Sequence, residues 1–388
     1  MALRKFLSET RARLPLSGGP VHAVIGNEAA DADSIIATIT TAYLRHHTYL
    51  RHADPTQLPP TVPVVPCARA DLCFRPETVK LLSLCNIEME SLIHVEDVDL
   101  RGIFDRGELA LTLTDHNDGS LQQNQGLGSA VIEIIDHHAD AGKLQHIAAE
   151  MRRIEPLGSA CTLVAELYFS EAPQLLDVSV RTLLAGVILL DTNNFLNLDK
   201  TKPRDRQALQ KLCESDGIPH GLYDQLQFSK CDPAYWSTIG TYDLLRTDFK
   251  AFETSGQRYG IASINGGVGD LAQLSLARGA ASVREAFARY AADTGIEVLI
   301  AMCCYPDGPG GWSTAKRDVI IYCPSVPLRS GLATHLSDHD AVQLQALPEC
   351  AFSAFHDIQM FRQLKTDSSR KQLQPVVDKW YSTVRPSL

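Results

Sequence analysis

At 388 residues the chain exceeds what one hydrophobic core usually serves, since single cores rarely grow past about 250–300 residues, so two domains are expected. A composition of 45% hydrophobic and 21% charged residues is that of a soluble globular protein, and no window reaches the roughly 18 consecutive apolar residues of a membrane span. The formal charge of -10 speaks against a nucleic-acid polymer or an anionic membrane as partner, but not against a small anion, because acidic residues gathered around divalent cations reverse the local field.

The opening MALRKFLSETRARLPLSGG has basic residues but only scattered apolar ones, so it lacks the continuous core of a secretory signal, and Glu9 weighs against a transit peptide. The C-terminal PSL lacks the central basic residue of a peroxisomal tripeptide. Ten cysteines are scattered with no C-x-x-C pair, which points to reduced thiols in a cytoplasmic protein rather than structural zinc or a disulfide scaffold.

PVHAVIG (20–26) predicts a short buried strand and a turn. DSIIATITTAYLRHH (33–47), apolar at 35, 36, 39, 42, 43 and 44, has helical spacing. The proline-studded segment 54–68 contains VPVVP, a brief strand. GELALTLTDHND (107–118) and SAVIEIIDHHAD (129–140) each climb through an apolar run and break on acidic and histidine residues. VRTLLAGVILLDTNNF (180–195) predicts a buried helix ending on Asp191. Beyond residue 200 the texture changes to a polar helical stretch (199–217), then to strands within 296–305 and 317–324 joined by PDGPGGWS (306–313). Strands alternating with helices predict an α/β fold with a mainly parallel sheet: a first domain over 1–205, a helical linker over 206–225 and a smaller α/β domain over 226–388.

Four segments end on acid or acid with histidine: Asp31 with Asp33, Asp115-His116, Asp136-His137-His138, and Asp191. Each alone reads first as a helix cap or turn residue. The first three follow predicted strands and should meet at the carboxyl edge of a parallel sheet; with Asp191 added, that many like charges would repel unless a cation held them. Carboxylates mixed with imidazoles suit manganese, cobalt, zinc or magnesium, and so much aspartate favours a pair of ions that activates water for in-line attack on phosphorus.

This pattern resembles the DHH phosphoesterase superfamily, in the subgroup of cytosolic exopolyphosphatases, prune-type phosphodiesterases and family II inorganic pyrophosphatases. Gly26, Asn27, Asp31, Asp33 and Ser34 match its G-[HN]-x-x-x-D-x-D-S motif; Asp115, His116 and Asn117 match D-H-N; Asp136, His137 and His138 match D-H-H; and Asp191 matches an aspartate ending a helix. In the second half, DFKAF and SSRKQ put Lys250, Arg370 and Lys371 on basic phosphate-binding positions. The resemblance implies an active site in a cleft between an N-terminal DHH domain and a C-terminal DHH-associated domain. It implies two divalent ions (Mg2+, Mn2+ or Co2+), with Asp31 and Asp115 at one, Asp33, Asp115, His137 and Asp191 at the other, and Asn27 beside the first. His138, Asp115 and His116 are the implied catalytic residues, with His138 facing the scissile phosphate and Asp136, Asn117 and His116 orienting the ligands. Lys250, Arg370 and Lys371 would bind phosphate oxygens.

Family II pyrophosphatases carry a histidine ligand where this chain has Asn27, and prune-type sequences alter the D-H-H that is intact here. Both differences favour an exopolyphosphatase; short inorganic polyphosphate is the expected substrate and a monomer the expected state. A pyrophosphatase or small-nucleotide phosphodiesterase is the alternative in the same class, and a catalytically weak scaffold the alternative outside it. LSDHDA (336–341) reads as a turn, and Lys202, Arg204, Arg206, Lys316 and Arg317 as a solvated helix face or hairpin tip rather than a polyanion track.

Overall fold

A computed structural model describes residues 2–16, 18–49, 59–118, 126–230, 232–265, 279–305, 316–347 and 352–384. The connection expected at 306–313 lies outside the described residues. The chain divides into two units, Met1–Ser229 and Lys230–Leu388.

In the first unit the apolar runs form six strands: β1 (Val21–Ile25), β2 (Thr61–Val65), β3 (Ile93–His94), β4 (Leu109–Thr114), β5 (Val131–Asp136) and β6 (Arg152–Ile154). All pair in parallel, in the order β3-β2-β1-β4-β5-β6. A parallel sheet is covered on both faces, so its strands are apolar on both. Val21, Ala23 and Ile25 join Val62, Val64, Leu111 and Leu113 in one core. On the opposite face Val24 packs in a second core with Ile35, Ile36 and Ile39 of helix α2 (Ala32–Tyr49) and with α5 (Ala160–Glu171) and α6 (Val178–Asp191). The order in which strands are added reverses between β1 and β4, the point at which open α/β sheets form a crevice beyond their carboxyl ends.

The second face also carries a polar seam. His22 Nε2 lies 2.8 Å from Thr112 Oγ1, Thr112 donates to Glu133 Oε2 at 3.1 Å, and Arg45 donates through Nε to Glu133 (2.9 Å) and through Nη1 to Glu171 (2.6 Å). A buried guanidinium is tolerable only when paired this completely.

Residues 206–225, expected as a linker, fold into the first unit instead. Helices Pro203–Leu212 and Leu222–Ser229 bury Ala208, Leu212, Leu222 and Leu226 in the same core as α5 and α6. Their outward faces carry the polarity that reads as a linker. The cations of this stretch are engaged locally: Arg204 with Glu155 and Glu166, Lys202 with the Asp199 carbonyl, and Arg206 over the Phe195 ring.

The second unit holds a mixed six-stranded sheet, β11-β12-β10-β9-β8-β7, with β7 (Phe249–Thr254), β8 (Gln257–Asn265), β9 (Val298–Tyr305), β10 (Lys316–Tyr322), β11 (Leu344–Ala346) and β12 (Ile358–Gln363). β7 and β8 form a hairpin whose two turn residues, Ser255 and Gly256, take φ of 53° and 72°, the left-handed pair that matches strand twist. Helix Val326–Asp338 ends at LSDHDA, where His339 Nδ1 accepts from the Ala341 N–H in a turn. No helix among the described residues is long and apolar enough to cross a membrane.

Burial, with the charge of Arg45 adding to it, pushes the His22 imidazole down to about 4, against roughly 6.5 in an unfolded chain. Between those values the unfolded state binds the extra proton, so stability is full above pH 6.5 and lost as pH falls toward 4. The variant His22→Gln should lose about 2 kcal/mol less than the parent between pH 6.5 and 4.5 in urea unfolding. Equal losses would remove His22 from the acid sensitivity.

Candidate metal centre

The segment after β1 turns back sharply into α2. A Cβ on Gly26 would lie 2.8 Å from the Ser34 carbonyl oxygen, so only glycine lets the first turn of α2 approach the strand end. Asp31 caps that helix, its Oδ1 accepting from the Ser34 N–H at 3.0 Å. Asn27 donates from Nδ2 to Asp115 Oδ2 (2.6 Å) and to the Asp115 carbonyl (3.1 Å), while its Oδ1 accepts from the Ala29 N–H (2.8 Å). Expected among the ligands, it spends both ends of its amide on fixing Asp115 and its own turn.

Asp115 follows the last residue of β4 with φ of 62°, a left-handed conformation that costs a non-glycine residue about 1–3 kcal/mol and clusters at functional sites. Its N–H is held by the Ile135 carbonyl of β5 at 2.9 Å. β5 delivers the second cluster. His137 Nε2 stands 3.2 Å from Asp115 Oδ1 and 3.6 Å from Asp33 Oδ2, and His138 Nδ1 is 3.7 Å from Asp115 Oδ1. Donor atoms of Asp115, His137 and His138 all lie within 4.8 Å of one another. Asp136, fully buried, accepts from His138 Nδ1 (2.8 Å), from the His138 N–H (3.1 Å) and from Asn117 Nδ2. Its carboxylate is thereby used up in orienting His138, whose side chain is half-exposed. His116 is buried, with Nδ1 on the Thr114 carbonyl at 3.0 Å, and burial lowers its pKa.

Asp33 is met by a turn that the sequence pattern does not single out. Ser159 Oγ (2.8 Å), the Ala160 N–H (2.7 Å) and the Cys161 N–H (3.0 Å), at the start of α5, all donate to its carboxylate. Asp191, at the last turn of α6, has Lys200 Nζ 3.6 Å from Oδ1, while its Oδ2 is buried and accepts no hydrogen bond from the described residues.

Crowding shows in the ionisation of the group. Burial first, then the charge of Asp33, raises Asp115 to about 7, and the same two causes push Asp191 well above the carboxylate range. Burial opposes the charge on His137, yet its contact with Asp115 and the field of Asp33 raise it to about 10. His138 is raised chiefly by its hydrogen bond to Asp136, whose own pKa is lowered by that bond against the effect of burial. Three carboxylates, two of them with a buried oxygen (Asp115 Oδ1 and Asp191 Oδ2) that accepts no hydrogen bond from the described residues, and an imidazole form a donor set that fits a divalent cation.

The basic residues expected to bind phosphate lie on the second unit. Lys250 is exposed on β7. Arg370, at the start of helix Arg370–Val384, donates to the Asp248 carbonyl and to Asp248 Oδ1, both at 2.7 Å, two residues from Lys250; Lys371 is exposed beside it.

Two family models match. The DHH family N-terminal domain covers residues 22–189, which begins one residue into β1, takes in β2 to β6 and includes every first-unit residue of the site except Asp191 and Lys200, and a DHHA2 domain covers residues 236–380. The first unit therefore carries a DHH family domain and the second a DHHA2 domain. Human exopolyphosphatase PRUNE1 is 29% identical over 391 residues, spanning 100% of this chain and 81% of the relative. A putative exopolyphosphatase of Schizosaccharomyces pombe is 29% identical over 69% of the chain and 72% of its own length. A manganese-dependent inorganic pyrophosphatase of Methanothrix thermoacetophila is 27% identical over 65% of the chain and 71% of its own length.

With His137 held at about 10 and Asp115 at about 7, a cation must displace protons to bind. Manganese affinity should therefore rise from pH 6 to pH 8 with net proton release, read by calorimetry in buffers of different ionisation enthalpy. A pH-independent affinity would exclude these two side chains from the cation site.

Proposed function

We propose that this chain is a metal-dependent hydrolase of phosphoanhydride bonds, and specifically that it removes terminal orthophosphate from short inorganic polyphosphate. The observation that carries the reading is the strained Asp115, fixed by Asn27 and facing both His137 and His138 at the reversal point of the sheet. Asp33, Asp115, His137 and Asp191, with Asp31, would hold two divalent ions. Bound there, such ions lower the pKa of water to supply the nucleophile and take up charge on the phosphoryl oxygens.

The chain's own groups do the rest. Asn27 sets the angle of Asp115. Asp136 accepts a hydrogen bond from His138 Nδ1 and so aims Nε2 outward, and the raised pKa keeps that imidazole charged nearer neutrality, ready to donate to a leaving phosphate oxygen. Asp248 fixes the Arg370 guanidinium, and Lys250 and Lys371 add two further cations for phosphate oxygens. Polyphosphate is favoured over pyrophosphate by two lines of support. The human and fission-yeast relatives bear exopolyphosphatase names, and Asn27 stands where the resemblance puts a histidine ligand in the pyrophosphatases.

Orthophosphate release from tripolyphosphate, pyrophosphate, cyclic AMP and long-chain polyphosphate, with magnesium and with manganese, separates the readings. Tripolyphosphate should be turned over fastest; faster pyrophosphate turnover would make the chain a pyrophosphatase, and no release from any would leave a scaffold. The variant Asp115→Ala should abolish turnover, and His138→Gln should lower kcat by about 10²–10⁴-fold. Lys250→Ala should raise KM for tripolyphosphate with kcat little changed, and unchanged kinetics would remove the second unit from substrate binding.

A further inference from the structure

Four of five consecutive residues touch two of the side chains assigned to the metal centre, and the fifth lies against the backbone neighbour of a third. The Leu157 carbonyl bonds His137 Nδ1 at 3.0 Å, which leaves Nε2 to face the carboxylates. Ser159, Ala160 and Cys161 donate to Asp33. Between them, Gly158 lies against Thr192, the neighbour of Asp191: a Cβ added at Gly158 would meet Thr192 Cγ2 at 2.7 Å. The turn 157–161 thus fixes His137, Asp33 and the backbone next to Asp191 at once.

What fixes the turn is Asp205. Its carboxylate is fully buried. It accepts from the Gly158 N–H (3.1 and 2.9 Å to its two oxygens), from Thr162 Oγ1 (2.6 Å) and from the Lys202 N–H (2.7 Å). Only the last of these is a helix cap, for Pro203–Leu212. The other two reach more than forty residues back along the chain, to both flanks of the turn. The same Cβ on Gly158 would meet Asp205 Oδ2 at 2.7 Å, so glycine there is the condition for this contact.

We propose that Asp205 is a positioning residue of the metal centre, acting through the turn 157–161 on Asp33 and His137. The inference rests on the metal-centre reading above. Replacing Asp205 by asparagine keeps the volume but removes the charge: an N–H2 in place of Oδ2 would face the Gly158 and Lys202 N–H donors, and in place of Oδ1 it would lose the Thr162 hydroxyl as a donor and require it to accept. Loss of an orienting contact of this kind costs about 10–100-fold in metal affinity.

The test is a manganese titration of the full chain, with free ion read by electron paramagnetic resonance and folding by thermal unfolding of each variant. Asp205→Asn and Thr162→Val should each weaken manganese binding by about tenfold or more, while Thr162→Ser, which keeps the hydroxyl, retains parental affinity. Asp205→Asn and Thr162→Val chains that melt lower yet bind manganese as the parent does would reduce Asp205 to a helix cap and overturn the proposal. Should Asp205→Asn fail to fold, the Thr162 pair decides alone: equal affinities for Val and Ser overturn it. A parent that binds no manganese, or an Asp115→Ala variant that binds it undiminished, would overturn the metal reading and this inference with it.

Discussion

The first unit is organised by the need to keep several carboxylates at one buried edge. Two unit charges 4 Å apart interact by about 4 kcal/mol at an effective dielectric of 20, so Asp33, Asp115 and Asp191 cannot share a pocket unless positive charge is supplied or protons are taken up. The parallel sheet makes the crowding unavoidable. Strands pointing one way end on one edge, and the order β3-β2-β1-β4-β5-β6 puts the ends of β1 and β4 side by side at its reversal.

Each carboxylate is met differently, and the differences assign work. Asp33 sits on the first N–H groups of α5, where the helix end carries partial positive charge. Asp136 is saturated by His138 and Asn117 and has nothing left to offer a cation. Asp115 is shared between the amide of Asn27 and His137. Asp191 is the least satisfied, with a lysine at 3.6 Å and one bare oxygen. A cation entering this edge therefore gains most from Asp115 and Asp191, and disturbs Asp136 least.

The strand–acid alternation is a local pattern, so β1, β4, β5 and the helix ending at Asp191 stand in the sequence close to where the structure has them, and their convergence follows from parallel pairing alone. Long-range partners carry no local mark. Ser159 reaches Asp33 across 126 residues, and neither a serine before a helix nor Asp205 at the third position of another looks other than a cap. The stretch 206–225 misleads for a related reason: composition reports the solvent face, while Ala208, Leu212, Leu222 and Leu226 bury the other. Asn27 is visible as a residue type, but which way its amide turns depends on Asp115, 88 positions away.

That orientation bears on what the site would prefer. An amide N–H on Asp115 Oδ2 withdraws electron density from an oxygen that would otherwise face a cation, and an asparagine replaces an imidazole that would have been a strong ligand for manganese or cobalt. Both effects weaken the hold on an ion beside Asp31 and Asp115 and reduce the preference for softer metals. On the reading proposed above, substrate phosphates would then contribute more of the binding, and a chain of three or more phosphates would bring more oxygens to it than pyrophosphate does.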